Sequence, residues 1–311
     1  MRFLRSFLTK MLQASYTEST TAYITQSSPP MRQGHFMTDS RRITYASYAS
    51  TFWQRVFIQI TEAITGRARL QKIYDALLDE HLEQQTFWQA ALNRLGIKTQ
   101  INNANLDKVR PDRPLIVIAN HPFGVVDGLI ICELISRIRP NFKVVLNHVL
   151  CQDQRIDKHI LPIEFAPTRE AKIRNLATRK ACLQVLAENG TIIIFPAGGV
   201  ATASNPFGNA EDLEWKPFTT KLVEKSQASV LPIYFHGQNS TFFQIASKIS
   251  ETLRIGLLVY EVNNKCNSCI QVEVGDQIEF EELTHLVDSQ ARTDVLRNRV
   301  FALKVLSTTN R

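Results

Sequence analysis

From residue 114 onward the chain alternates between short apolar runs and longer segments whose apolar residues recur every three or four positions. The runs at 114–119, 143–147, 160–163, 191–195, 229–235, 256–262 and 269–274 predict seven β-strands. The segments at 128–138, 168–188, 216–226, 241–252 and 284–306 predict helices. Strands interleaved with helices argue an α/β fold: a mixed sheet of about seven strands, flanked by helices on both faces. The last two strands are close enough in sequence to pair as a hairpin. The segment 201–214 is rich in turn residues and reads as the mobile loop of the domain.

The first part of the chain is patterned differently. Residues 1–12 place Phe3, Leu4, Phe7, Leu8, Met11 and Leu12 on one helical face, with Arg2, Arg5 and Lys10 elsewhere. A basic amphipathic helix of this kind can lie in a membrane interface. Residues 13–36 are rich in Ser, Thr, Gln and Pro and read as linker. Residues 51–65 form the next helix, with Phe52, Trp53, Val56, Phe57, Ile60 and Ile64 on one stripe. Such a stripe docks on lipid or packs on its own domain. A longer amphipathic helix over 69–94 ends near Gly96. The expected division is a flexible or interfacial leader (1–40), an N-terminal helical region (41–110) and an α/β domain (111–311).

Composition narrows the class. With 311 residues, 44% of them hydrophobic, the chain can build one large domain with a helical extension. No apolar run reaches the ~18 residues needed to span a bilayer. Arg2, Arg5 and Lys10 interrupt any signal-peptide core. The net charge of +7 suits an anionic membrane surface or an acidic partner protein. Nucleic acid is not expected, since neither zinc-finger spacing nor an RNA-binding aromatic motif is present. Of the five cysteines, three lie in apolar or helical segments, which points to reduced thiols in a cytoplasmic protein. The lone Cys266-Asn-Ser-Cys269 lacks two further ligands for zinc and reads as a turn between strands. No metal is expected.

Three stretches carry chemistry. In Leu115-Ile-Val-Ile-Ala-Asn120-His121-Pro122-Phe123-Gly124-Val125-Val126-Asp127-Gly128 a buried strand runs into a tight loop and a helix start. His121 and Asp127 fall at the C-terminal mouth of the strand, where open α/β sheets place their ligands. Neutral imidazole can take a hydroxyl proton while a carboxylate on its other nitrogen fixes the tautomer. Thr191–Gly199 repeats the design and ends Phe195-Pro196-Ala197-Gly198-Gly199. The third stretch is Val230-Leu-Pro-Ile-Tyr-Phe235-His236-Gly237. A Gly-x-Ser-x-Gly elbow, a Gly-x-Gly-x-x-Gly fingerprint and a P-loop are all absent.

Asn-His-Pro-x-x-x-x-Asp, Phe-Pro-x-Gly and Leu-Pro-Ile, in that order, resemble the glycerolipid (lysophospholipid) acyltransferase superfamily, whose best-known members acylate lysophosphatidate. A nearer resemblance is to a bacterial branch labelled hemolysin or lyso-ornithine lipid acyltransferase, with His-Pro-Phe-Gly-x-x-Asp-Gly, Phe-Pro-Ala-Gly and a Tyr-Phe-His-Gly-x-Asn-Ser block. It covers about residues 40–280, so a start at Met31 or Met37 stays open. The resemblance implies an O-acyltransferase that moves a fatty acyl group from an acyl-carrier-protein or coenzyme A thioester to a lyso-lipid hydroxyl. His121 would be the general base and Asp127 its orienter. Asn120, Phe123, Gly124, Phe195, Pro196, Ala197, Gly198, Gly199 and His236 would line the substrate site, and His148 the channel. Backbone N–H groups near Gly198 and Gly199, or at the helix start near Gly128, would hold the oxyanion. No cofactor beyond the thioester co-substrate is implied. The partners implied are a lipid acceptor and an anionic membrane surface, at the cytoplasmic face of the bacterial inner membrane.

Two departures matter. Five residues separate His121 from Asp127, where the superfamily has four, and the nearer branch shares the longer loop. Phosphate-handling members carry Phe-Pro-Glu-Gly-Thr-Arg-Ser, so Ala197 stands for Glu and Val200 for Arg. An Arg fork is the natural partner of a phosphate. Its absence favours a lyso-aminolipid such as lyso-ornithine lipid, unless cations from Arg169, Lys172, Arg174, Arg179 and Lys180 substitute. The rival reading is an inactive peripheral protein that only binds lipid. No pattern of pore-forming strands supports lysis.

Overall fold

The computed structural model describes residues 43–46, 49, 51–78, 86–102, 105–147, 154–164, 168–286 and 288–306. The leader helix, the linker and His148 lie outside these residues. The strands are β1 (Lys98–Asn102), β2 (Leu115–Ala119), β3 (Phe142–Asn147), β4 (Ile160–Ile163), β5 (Thr191–Ile194), the short pair β6 (Thr202–Ala203) and β7 (Ala210–Glu211), β8 (Ser229–Phe235) and β9 (Cys269–Val274). The helices are α1 (Phe52–Ile64), α2 (Arg67–Leu78), α3 (Phe87–Leu95), α4 (Val125–Ile138), α5 (Gln154–Asp157), α6 (Arg169–Ala187), α7 (Phe218–Ser226), α8 (Thr241–Ile249), α9 (Glu251–Gly256), α10 (Leu258–Lys265) and α11 (Ser289–Leu306).

Seven strands form one mixed sheet in the order β1-β9-β8-β2-β5-β3-β4. All neighbours are parallel except β8 and β9. The central strand β2 is buried on both faces. Leu115, Val117 and Ala119 enter one core with Ile58, Trp88 and Val259, and Ile116 and Ile118 enter the other with Cys182, Leu186 and Val300. This is the alternation a strand imposes on its side chains. The sheet therefore separates α1–α4 and α10 from α6, α7 and α11.

The sheet has the expected number of strands, but one is exchanged. Residues 256–262 are helical, not a strand, and the hairpin with 269–274 does not form. The reason is periodicity: Ile255, Leu258, Val259 and Val262 recur at helical spacing and face the core together. A short apolar run hides that spacing. In place of the missing hairpin, β9 pairs antiparallel with β8 and parallel with β1. Strand β1 reads Lys-Thr-Gln-Ile-Asn and is polar because it is the sheet edge. The Cys266–Cys269 turn consequently joins a helix to a strand. The long helix read over 69–94 contains two helices, α2 and α3, with residues 79–85 outside the described set. Segment 201–214 contains the small β6–β7 pair.

Candidate active site

Parallel pairing brings the three motif loops to one edge. Ile118 of β2 is level with Ile194 of β5, and Ala119 with Ile233 of β8. The chain after each strand therefore leaves the sheet side by side with the others. Asn120 extends this register with its side chain. Its Nδ2 donates to Phe235 O at 2.9 Å, and its Oδ1 accepts from Phe235 N at 2.7 Å. The amide is thus fully engaged with β8 and turned away from substrate.

His121 comes next, at the mouth of β2. Its Nδ1 is 3.0 Å from Asp127 Oδ2. The contact lies off the line of a good hydrogen bond, so the ring has a carboxylate neighbour it is not yet aligned with. Catalytic contacts often tighten only when substrate binds. The five intervening residues do not keep the pair apart. They fold back because Gly124 adopts φ +87°, and a Cβ there would press on Val200. The turn aims the N–H groups of Phe123 (2.8 Å) and Gly124 (3.0 Å) at Asp127 Oδ2. Asp127 is fully buried in the first turn of α4, and its Oδ1 has no partner among the described residues. Burial pushes its carboxyl above the usual range, against the pull of His121 and the two N–H groups. Phe195 stacks on the imidazole with ring centroids 4.1 Å apart, which fixes the face of His121.

One carboxylate in this site has no counterpart in the sequence reading. Asp212 Oδ1 accepts the backbone N–H of His121 at 3.0 Å, and Oδ2 accepts the indole N–H of Trp215 at 2.9 Å. Ala201 N–H donates to His121 O at 2.8 Å. The 201–215 segment thereby grips both backbone groups of His121. Burial raises the Asp212 carboxyl too, and the nearby Asp127 adds to the rise. The available clue was an acid three positions before a Trp, in Asp212-Leu-Glu-Trp215.

Beside His121 opens a cavity of about 1000 Å³. That is at the upper end of the ~300–1,000 Å³ typical of small-molecule sites. Its wall is mostly apolar, with Leu70, Leu77, Trp88, Leu129, Cys132 and Val262 among the lining residues. His121, Gly124, Phe195, Pro196, Ala197, Gly198 and Gly199 all line it, as does Val200. Three of the residues expected to line it do not. Asn120 is engaged with β8. Phe123 is packed under Gly237, whose positive φ and missing Cβ admit the ring, and lies beneath Lys265 Nζ at 4.6 Å. His236 turns toward β9, with Nε2 3.3 Å from Glu273 Oε1. The oxyanion expectation is also narrowed: the Gly198 N–H closes a turn on Phe195 O at 3.0 Å and is already engaged. Among the described residues no cluster of His, Cys, Asp and Glu could hold a metal ion. No helix among them is long and apolar enough to cross a membrane.

Comparison with known proteins yields the following. A family model described as acyltransferase matches residues 73–307. Two curated relatives carry the name lyso-glycine lipid O-acyltransferase. The one from Phocaeicola vulgatus is 26% identical over 171 residues, covering 54% of this chain and 58% of the relative. The one from Bacteroides thetaiotaomicron is 25% identical over 172 residues, covering 54% of this chain and 59% of the relative. The match thus spans less than two thirds of either relative. Among solved structures, the 1-acyl-sn-glycerophosphate (LPA) acyltransferase PlsC of Thermotoga maritima aligns with a TM-score of 0.46 at 14% identity, covering 82% of this chain and 89% of that one.

Proposed function

The chain belongs to the acyltransferase family, and from that premise we propose that it is an O-acyltransferase that esterifies the free hydroxyl of a lyso-lipid, with an acyl thioester as donor. The observation that carries this reading is the His121–Asp127 pair at the mouth of a large apolar cavity. The cavity takes the acyl chain. The acceptor hydroxyl approaches His121 Nε2, the ring nitrogen not facing Asp127. As its oxygen attacks the thioester carbonyl, His121 takes the proton and Asp127 stabilises the imidazolium. The Gly199 N–H and the N–H groups of the first turn of α4 would donate to the oxyanion, while that of Gly128 already bonds Gly124 O at 3.4 Å. Collapse of the intermediate breaks the C–S bond and leaves the ester. The proton on His121 passes to the departing thiolate, so no proton is gained or lost.

The acceptor we favour has an amino-acid head group. The two curated relatives are named for a lyso-glycine lipid. Val200, where phosphate-handling proteins carry Arg, is apolar and packs near Gly124. The cations lining the cavity, Lys216 and Arg254, already face Glu214 at 3.3 Å and Glu251 at 3.5 Å, so neither is a dedicated phosphate fork. Lipid substrates also explain the surface. Of the eleven large hydrophobic side chains exposed among the described residues, seven lie on α1 and α8: Phe52, Trp53, Ile60, Ile64, Phe242, Ile245 and Ile249. Both helices pack on α9, and the patch is the natural site of peripheral membrane contact.

The test is acyl transfer by purified protein to a panel of amino-acid-headed and phosphate-headed lyso-lipids, with products read by mass. His121→Ala is expected to lower turnover by about 10⁴-fold. Wild-type-like transfer by that variant overturns the mechanism. Lipid binding without transfer in either protein makes the chain a lipid-binding module instead.

A further inference from the structure

Helix α6 carries Arg169, Lys172, Arg174, Arg179 and Lys180 and a single acid, Glu170. Arg174 is held by Glu164 at 2.6 Å. Arg169, Lys172 and Lys180 are exposed and form no ion pair among the described residues. Between them stand Ile173 and Leu176, 59% and 54% exposed. Residues 169, 172, 173, 176 and 180 follow helical spacing and make one outward stripe. The opposite face, with Ala171, Thr178, Cys182 and Leu186, is buried on the sheet. Large aliphatic side chains ringed by like charges, and left exposed by the described residues, have the anatomy of a transient protein interface: an apolar centre and a polar rim.

Topology places this stripe beside the site. Strand β4 is parallel to its neighbour β3 and ends at Ile163, so the chain leaves the sheet at the edge that carries His121. Glu164 follows, lines the cavity, and binds Arg174. Thr168 then caps α6. The first turns of the stripe therefore lie near the cavity rim. The stripe is also on the other face of the sheet from α1, because α6 packs with the core of Ile116 and Ile192 and α1 with that of Val117. A partner on α6 leaves the lipid-contact patch free.

We propose that the stripe Arg169–Lys172–Ile173–Leu176–Lys180 is the docking site of an acidic acyl carrier protein that presents the acyl thioester to the cavity. The proposal rests on the acyl-transfer reading above and specifies its donor. Charge complementarity selects the partner: an unpaired cationic rim meets an acidic protein surface and speeds encounter. The size of the stripe agrees. From Arg169 to Lys180 the helix rises ~17 Å, the reach of a facing helix rather than of the phosphates of a nucleotide-borne thioester. Two aliphatic side chains at its centre have no role against a nucleotide. A bilayer is served by the seven-residue apolar patch on the other side.

The experiment uses the full chain and a triple variant, Arg169→Glu, Lys172→Glu and Lys180→Glu, with Lys172→Arg as the conservative control. Binding of fluorescently labelled acyl carrier protein is read by anisotropy, which needs no turnover. Transfer is measured in detergent with the same acyl chain on the carrier protein and on coenzyme A. The triple variant is expected to bind the carrier at least about tenfold more weakly and to lose kcat/KM for that donor in proportion. Its thermal melt, its KM for the lyso-lipid and its rate with any coenzyme A thioester should stay as in wild type, and Lys172→Arg should behave as wild type. Equal carrier binding by wild type and triple variant overturns the proposal, as does a wild type that binds no carrier. A loss that is as large with the coenzyme A donor, or a loss of binding to anionic vesicles in place of the carrier, assigns the stripe elsewhere and overturns it as well. If the wild type transfers from neither donor, the acyl-transfer reading fails, while anisotropy still decides the docking.

Discussion

Asp127 is buried without solvent contact, and only one of its two oxygens has partners. Burial raises its carboxyl above the usual 3.8, which couples function to stability. Below about 3.8 the group is protonated in both folded and unfolded chains, and the folded state suffers no penalty. As pH rises through that value the unfolded chain ionises first, so stability falls until the folded value is passed. Asp127→Asn removes this slope. The variant is expected to be at least as stable as wild type at pH 7, with the difference vanishing by about pH 4, in urea titrations across that range. Its transfer rate should fall by about 10⁴-fold, since an amide neither stabilises the imidazolium nor holds the tautomer. A parallel pH course for the two proteins, or near-normal turnover by the variant, counts against the argument. His121 and Asp127 were legible because their spacing is local and each is a reactive type. Asp212 was not legible, because it acts on the backbone of a residue 91 positions away and backbone contacts leave no spacing signature. His236 was placed at the correct strand end, but its direction depends on Glu273 of β9, a strand whose span was read correctly and whose pairing was misread.

Elements were legible where burial and period agree, and misread where a short run allows both. Strands β2, β5 and β8 are buried throughout and apolar but for Thr191 and Ser229 at their starts, because the sheet covers them on both faces, and their ends were placed closely. Residues 256–262 are equally apolar, yet three helical contacts on one core make them a helix. The amphipathic helices present a different ambiguity. α1 was legible as a stripe, but whether the stripe faces core or solvent was not. The structure turns it outward: Phe52, Trp53, Ile60 and Ile64 are exposed and Val56 and Phe57 half-buried, while the buried Ile58, Thr61 and Glu62 lie off the stripe. In α8 the buried Phe243 and Ala246 leave Phe242, Ile245 and Ile249 outside, so the helix is apolar on both sides. If this composite patch contacts lipid, Trp53→Ser with Ile249→Ser should lower partition onto phospholipid vesicles by about tenfold or more, since each large side chain contributes ~1.5–3 kcal/mol when fully buried. Cosedimentation measures this. The melting temperature should not change, because both positions are exposed. Unaltered partition would move membrane contact to another surface.

At the scale of the molecule, the cavity departs from ordinary packing. Protein interiors are close-packed, and voids much larger than a water molecule are rare. Here the sheet and the layer of α2, α3 and α4 border an open cavity of about 1000 Å³ with mostly apolar walls. None of this was legible in the sequence, because apolar periodicity marks which residues face inward and not whether they meet. One residue did carry a trace. Gly128 lies in the helix α4, one position after Asp127, where glycine costs up to ~1 kcal/mol relative to alanine. No atom of the described residues lies within 4 Å of where its Cβ would be, and it lines the cavity. The glycine is therefore not required by backbone strain or by a close neighbour; it keeps space open beside the reacting pair. Gly128→Ala should raise stability by roughly 0.5–1 kcal/mol in thermal or urea unfolding and leave transfer largely intact, since one methyl group enters a wide space. Gly128→Leu should keep the fold and abolish transfer of long acyl chains before short ones, because its side chain occupies the volume next to His121. A chain-length series on the two variants separates these outcomes. If Gly128→Leu transfers every chain length at the wild-type rate, the acyl chain lies elsewhere and the cavity has another occupant. If Gly128→Ala is destabilised, the space beside the helix is smaller than the geometry shows. Stability gained by filling this region, together with activity lost in proportion to the volume filled, would identify the void as the feature this fold maintains for its substrate.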